Sequence, residues 1–259
     1  MYTIAVSNEK GGVAKTTTTI SLGAALAETG LKVLIIDLDP QANLTLALGI
    51  EPDKVRLSIT NVLLETLPLH HAIQGTSSEN LDILCSNHEP GILERLLPQK
   101  PNYEGMLRRS LEQLKTKYDY VIMDCPPFLG AITQSALVAA QMVLIPTQAE
   151  YFSIVALRNL MGWIRQIRAQ HNPALVYRLL LTMYDRRNRT HRILSEQLRN
   201  TFRNGVLESL VETDTKLRES PIVGVPILTH APKTRASGQY RNVAQEIIQY
   251  VKETTLQPS

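Results

Sequence analysis

The chain has 259 residues, of which 44% are hydrophobic and 20% are charged, and its formal net charge is +3. These values are ordinary for a soluble globular protein, and no apolar run approaches the roughly 18 residues that a membrane span needs. Two cysteines exclude a disulfide framework, and the first residues show neither a basic segment nor a cleavage site, so we expect a cytoplasmic protein without a signal peptide.

Strands and helices are predicted to alternate along the chain. Short apolar runs predict strands at Tyr2–Val6, Lys32–Asp37, Tyr118–Asp124, Gln141–Pro146 and Val176–Met183. Helical spacing of apolar residues predicts helices at Lys15–Thr29, Leu57–Glu65, Gly91–Leu97, Gly105–Thr116, Ala131–Ala140, Ser153–Gln170, His191–Arg203 and Ser237–Thr254. This alternation predicts an α/β fold, a three-layer sandwich with a mostly parallel twisted sheet, formed by one domain spanning 1–259.

The segment after the first strand has the layout of a phosphate-binding loop. A glycine pair follows the strand, and Lys15 and Thr16 open the next helix, so that backbone N–H groups and the helix N-terminus can hold anionic oxygens. Lys15 is expected to reach the β- and γ-phosphates, and the Thr16 hydroxyl is expected to bind Mg²⁺. The predicted nucleotide-binding residues of this P-loop NTPase-like fold are Lys10, Gly11, Gly12, Val13, Ala14, Lys15, Thr16 and Thr17.

This loop departs from the standard pattern G-x4-G-K-[ST]. Glu9 and Ala14 occupy the positions of the two pattern glycines, and a second lysine, Lys10, precedes the glycine pair. If the φ angle of Ala14 is positive, alanine costs on the order of 1 kcal/mol there, and if it is negative, alanine is harmless.

Carboxylates follow two of the predicted buried strands. Asp37 and Asp39 end the second strand, and Asp124 ends a later one. Because ligands bind at the carboxyl ends of parallel strands, these side chains are expected near the phosphates, where a carboxylate holds Mg²⁺ and a water. For Asp37, capping of a turn is an equally good interpretation.

Together these segments resemble the ParA family of partition ATPases, within the larger class that also contains MinD and the nitrogenase iron protein. The matching motifs are the deviant Walker A motif (Lys10–Thr17), Walker A′ (Asp37–Gln41) and Walker B (Val121–Pro127). Three later segments also match, namely Pro146–Phe152, Leu181–Asp185 and Leu217–Pro221. The resemblance therefore covers nearly the whole chain.

The resemblance implies an ATP hydrolase that uses ATP and Mg²⁺ and forms a homodimer with ATP sandwiched between the subunits. Lys10 is then a catalytic residue that crosses to the phosphates of the second subunit, Lys15 is the lysine of its own site, and Asp39 positions the attacking water. Thr16, Asp39 and Asp124 are the implied metal-site residues, and Met183 and Pro221 lie near the adenine.

The resemblance also implies a biological task. Relatives bind DNA non-specifically as ATP dimers, associate with the nucleoid, and position or partition a plasmid, a chromosome or another cargo. A ParB-like or other adaptor stimulates their slow ATP hydrolysis, and no membrane partner is expected.

The C-terminal third is unevenly basic. Residues 178–241 contain 12 Lys and Arg against 6 Asp and Glu, whereas the whole chain is only +3. This excess indicates a surface that faces a polyanion, although a solvated surface with internal salt bridges is an equally good interpretation. The expected DNA-binding residues, contacting phosphates without reading sequence, are Arg218, Lys216, Arg235, Arg241, Arg189 and Arg192.

Two other functions are weighed against DNA binding. A membrane-associated MinD-like positioning ATPase needs a basic amphipathic terminal helix, and residues 247–254 are too mixed for one. A redox protein like the nitrogenase iron protein needs paired cysteines in a cluster motif, which Cys85 and Cys125 do not form. Tyr151 and Trp163 are expected to be packing residues.

Overall fold

One sheet organises the whole chain. The computed structural model describes residues 1–87, 91–114 and 117–256. Eight strands form the sheet in the order β3-β4-β2-β5-β1-β6-β7-β8. Neighbouring strands are parallel except for β3 and β4, which confirms the predicted mostly parallel sheet. The strands are β1 (Tyr2–Val6), β2 (Val33–Asp37), β3 (Ile73–Gly75), β4 (Leu81–Leu84), β5 (Tyr120–Asp124), β6 (Met142–Thr147), β7 (Val176–Tyr184) and β8 (Val206–Glu212).

Helices cover both faces of the sheet. Adjacent residues of a buried strand point to opposite faces, so Leu34 and Val121 join one apolar cluster and Ile35 and Ile122 join the other. The helices are α1 (Lys15–Ala27), α2 (Asn43–Ala47), α3 (Ile59–Leu64), α4 (Ile92–Leu96), α5 (Met106–Glu112), α6 (Ala131–Ala139), α7 (Tyr151–Gln170), α8 (Arg189–Phe202), α9 (Lys216–Val223), α10 (Ile227–His230) and α11 (Arg235–Leu256). Within the described ranges, no helix combines the length and the apolar character that a membrane crossing requires.

The predicted strands and helices are present, with ends shifted by a few residues. The predicted helix Gly105–Thr116 corresponds to α5, and its last two residues lie outside the described part of the chain. The sequence did not predict β3, β4, β8, α2, α9 and α10. β3 is short and largely exposed, and α9 contains a proline. In β8 the exposed Glu208 and the polar Ser209 interrupt the apolar residues. None of these segments therefore shows a long apolar run or a clean helical period.

Candidate nucleotide site

Three neighbouring strand ends bring the predicted site residues together. β5 lies between β1 and β2, and its last residue, Asp124, is in register with Val6 on one side and Asp37 on the other. Because all three strands are parallel, the loop after β1 and the carboxylates after β2 and β5 leave the sheet at the same edge. The topology thus places the Walker A, A′ and B segments side by side.

The loop itself is open and its backbone is unusual. Gly12 has φ +73°, and a Cβ atom at either Gly11 or Gly12 would meet nothing within 4 Å. Ala14 has φ +67° and ψ +37°, a left-handed conformation in which an alanine is strained. No side chain caps the N-terminus of α1, which begins at Lys15, so the first N–H groups of that helix remain available to an anion.

Lys15, Thr16 and Asp124 form the buried centre of the site. The Thr16 hydroxyl donates to Asp124 Oδ2 at 2.7 Å, and Thr19 donates to the other carboxylate oxygen at 3.1 Å. Burial raises the pKa of Asp124 to about 7, even though these two hydroxyls and the Lys15 ammonium lower it. Burial also disfavours the charged form of Lys15 and so lowers its pKa, although the negative charge of Asp124 raises it. A buried lysine and carboxylate with opposed pKa shifts are typical of a functional site.

The two aspartates after β2 have different surroundings. Asp37 is fully buried and accepts hydrogen bonds from the backbone N–H of Asp39 and from the backbone N–H and hydroxyl of Thr45. These bonds support the interpretation that Asp37 caps the turn into α2. The Asp39 carboxylate accepts a bond from the Gln41 N–H at 2.8 Å and is 6% exposed. Asp39 therefore stays the candidate to hold a water.

Lys10 is bound by its own chain, away from the centre of the loop. Its ammonium donates to Glu150 Oε2 at 2.6 Å, to Gln148 Oε1 at 2.8 Å and to Ser153 Oγ at 3.2 Å. The Lys10 side chain is 25% exposed, so it lies at the rim of the site. The sequence predicted no role for Glu150 and Gln148, although both belong to a segment that resembles the ParA pattern.

The far side of the loop contacts Gln148, which directly follows β6, and the last residues of β7. The Gln148 amide donates to the Gly12 carbonyl at 3.3 Å and to Met183 Sδ at 2.8 Å, and the Thr182 hydroxyl donates to the Val13 carbonyl at 3.0 Å. Gln148 thus links Met183 to the loop, and the place of Met183 near the adenine stays a prediction. Pro221 lies in α9, which packs against α2 and α10, and its place near the adenine stays a prediction.

This set of groups fits a magnesium nucleotide. Free N–H groups, an open glycine pair and a buried lysine suit phosphate oxygens, and a threonine hydroxyl with a carboxylate suits Mg²⁺. Among the described residues, no group of three or more His, Cys, Asp and Glu side chains is arranged so that it could hold a metal ion by itself. Magnesium would therefore be held by Thr16 and Asp124 together with phosphate oxygens, which is the usual way in which proteins bind it.

The six predicted DNA-binding residues fall into two groups. Lys216 pairs with Glu219 at 2.6 Å, Arg235 pairs with Glu212 at 3.1 Å, and Arg241 pairs with Glu28 at 2.5 Å. The other three are exposed and form no ion pair with any residue that the structure describes, namely Arg189, Arg192 and Arg218. Internal pairing therefore occupies half of the predicted set.

Comparison with known proteins identifies several relatives. Residues 1–177 match the family model AAA_31, described as an AAA domain. The chain is 37% identical to the sporulation initiation inhibitor protein Soj of Bacillus subtilis over 245 residues, which cover 94% of this chain and 97% of Soj. It is 36% identical to the chromosome partitioning protein ParA of Caulobacter vibrioides over 248 residues, covering 95% and 93% of the two chains.

Solved structures agree with this result. Cobyrinic acid a,c-diamide synthase from Mycobacterium smegmatis, with bound ADP and magnesium, superposes with a TM-score of 0.86 at 32% identity and covers 97% of this chain and 96% of its own. The cell division ATPase MinD of Pyrococcus furiosus gives a TM-score of 0.79 at 26% identity, covering 96% and 99%. Both resemblances cover nearly the full length of each chain.

Proposed function

Because this chain belongs to the ParA and Soj family of partition ATPases, we propose that it is a DNA-bound ATP switch that positions a plasmid, a chromosome or another cargo. The chain is a P-loop ATPase that uses ATP and Mg²⁺. The observation that carries the proposal is the position of Lys10, a lysine at the rim of the phosphate loop in addition to the buried Lys15.

The residues of the site divide the work of phosphoryl transfer, which depends on positioning and on positive charge near the phosphates. When bound, Mg²⁺ neutralises phosphate charge. Lys15 supplies a fixed positive charge inside the site, and Thr16 and Asp124 form the metal side. Asp39, at the end of β2, orients the attacking water.

Lys10 serves the second subunit in this proposal. In the single chain its ammonium is bound to Glu150, Gln148 and Ser153, so it must exchange these partners for the phosphates of a neighbouring site. A triphosphate offers more negative charge at that point than a diphosphate does, and this difference favours a dimer with ATP over one with ADP. ATP hydrolysis then weakens the dimer, and an adaptor that stimulates hydrolysis sets its lifetime.

The ATP dimer presents the free arginines to DNA. Arg218, Arg189 and Arg192 are the candidates for phosphate contacts, since the other three predicted cations already have internal partners. Contacts of this kind release counterions and read no sequence, so the proposal includes association with any part of the nucleoid.

A DNA titration at rising salt tests the proposal. With ATP and Mg²⁺ present, binding to DNA fragments of unrelated sequence is expected to be equal, and the logarithm of the binding constant is expected to fall linearly with the logarithm of salt concentration. With ADP, binding is expected to be much weaker. Binding that ignores both salt and the nucleotide contradicts the proposal.

A further inference from the structure

The start of α7 exposes two large aromatic side chains beside the nucleotide site. Tyr151 is 69% exposed and Phe152 is 74% exposed, and Val155 one turn later is 43% exposed. The expectation that Tyr151 is a packing residue is therefore wrong, whereas Trp163 is half-buried. The two ring centroids lie 5.6 Å apart in an edge-to-face arrangement. A group of large exposed apolar side chains often marks a site of interaction with another molecule.

This aromatic pair is directly connected to the phosphate loop. Glu150 and Ser153, which flank the pair in sequence, both accept hydrogen bonds from Lys10. Farther along α7, Asn159 donates to the Glu9 carboxylate at 3.0 Å. The helix that presents the aromatic pair is thus held against the loop at two points, and the pair lies within one helical turn of Lys10.

Other exposed apolar side chains lie at the same edge of the sheet. Phe128 follows β5, Ile193 follows β7, and Leu46 in α2 follows β2. Ile222 and Val223 end α9, which packs against α2. Large apolar side chains exposed in the described residues therefore gather at the carboxyl edge that holds the phosphate loop.

The surface around the pair carries little charge. From Tyr151 to Leu157 the sequence has no charged residue, and in the single chain the charge of Glu150 is matched by that of Lys10. DNA needs cations, and a basic peptide needs free carboxylates, so neither complements this surface. A second copy of the same surface does, since two uncharged aromatic faces meet across a twofold axis without repulsion.

We infer that Tyr151 and Phe152 are the apolar anchor of the contact with a second copy of this chain. The inference rests on the proposed ATP dimer and adds to it the side chains that supply the binding energy. Aromatic side chains near the centre of an interface carry a large share of its binding energy. Because each copy contributes both rings, removing them deletes four rings from one dimer.

The test compares the dimer constants of full-length variants by sedimentation velocity with Mg²⁺ and a slowly hydrolysed ATP analogue. The double variant Tyr151→Ser, Phe152→Ser is expected to dimerise at least about a hundredfold more weakly than the wild type. Tyr151→Phe with Phe152→Leu keeps apolar bulk and is expected to stay within about threefold. Gln166→Ser, an exposed position near the opposite end of α7, is the control on the same helix and is expected to change nothing.

Binding of a fluorescent ADP to each monomer shows whether the site is intact, and it is expected to be unchanged because both side chains are mostly exposed. A double variant that dimerises like the wild type contradicts the role of the two rings as an anchor. The same holds if that variant dimerises normally but no longer binds DNA. A wild type that stays monomeric with the ATP analogue overturns the proposed function instead. If the double variant loses ADP binding, the dimer constant of the single variant Phe152→Ser is measured in its place, and a value equal to that of the wild type contradicts the anchor.

Discussion

Ala14 holds a left-handed backbone conformation at the position where the standard phosphate loop has glycine. A φ of +67° destabilises an alanine by on the order of 1 kcal/mol relative to a glycine in the same conformation. Ala14→Gly is therefore expected to raise the free energy of unfolding by about 0.5–1 kcal/mol, measured by urea denaturation. This gain is expected even though glycine is normally the less stabilising residue of the two.

The matched control is Ala25→Gly, in the buried middle of α1. There the helical backbone suits alanine, and the same substitution is expected to lower the free energy of unfolding by about 1 kcal/mol. Equal losses at both positions would show that Ala14 is not strained.

Asp37 links the stability of the nucleotide-free protein to pH. Burial and the charge of Asp124 raise its pKa to about 8, from an ordinary value near 3.8. The folded state therefore holds a proton that the unfolded chain has already released, so the contribution of Asp37 is complete below about pH 4 and is lost as pH rises to about 8.

Asp37→Asn removes this titration. Thermal unfolding between pH 5 and 8 is expected to show a smaller loss of stability with rising pH for the variant than for the wild type. Identical slopes for the two proteins would contradict the raised pKa.

At this scale the sequence was informative about chemistry and less so about conformation. A strand, a glycine pair and Lys15-Thr16 suffice to predict a phosphate loop, because few other arrangements place those groups at a helix start. The sign of φ at Ala14 stayed open, because both values are compatible with the sequence. The partners of Lys10 could not be predicted either, since Glu150 is 140 residues away in sequence and meets the loop only because β6 lies next to β1.

Among the helices, α9 and α11 each bear a basic residue with a distinct expected role. Arg218 in α9 is exposed without an ion pair to any described residue, whereas Arg241 in α11 binds Glu28 through two hydrogen bonds and also donates to the Pro232 carbonyl. Arg218→Ala is expected to weaken DNA binding at every sequence and to reduce the salt slope by about 1 per contact, without changing stability.

Arg241→Ala is expected to behave in the opposite way. Its partially exposed ion pair stabilises the junction of α11 and the end of α1 by about 0.2–1 kcal/mol, so stability falls slightly and DNA affinity is retained. Urea denaturation and DNA titration of both variants check the assignment. Loss of DNA binding in the Arg241 variant alone would reverse it.

Elements whose residues have a strong periodic pattern could be predicted, and those defined by tertiary packing could not. β8 pairs with β7 through an irregular register, and Pro221 lies inside α9 where it breaks the usual helical pattern. Their formation depends on neighbouring strands and helices, which a single sequence does not reveal.

For the whole molecule, we expect one domain with one cooperative unfolding transition. α11, near the C-terminus, packs against α1, near the N-terminus, and the fully buried Tyr240 hydroxyl lies 3.2 Å from the Thr18 hydroxyl. Tyr240→Ala is expected to cost about 3–5 kcal/mol and to keep a single transition. Two separate transitions in calorimetry would show that residues 1–177 and the rest fold independently.

The measurement that tests the central claim most directly is the effect of ATP on the association state of the wild type and of Lys10→Ala. Sedimentation velocity with Mg²⁺ is expected to show a wild-type dimer with ATP and a monomer with ADP. Lys10→Ala is expected to remain monomeric with either nucleotide while it still binds ADP. The control is Lys117→Ala, which is expected to behave as the wild type because Lys117 is an exposed lysine before β5, at the opposite edge of the sheet. A Lys10→Ala protein that dimerises with ATP and hydrolyses it normally would contradict the shared site.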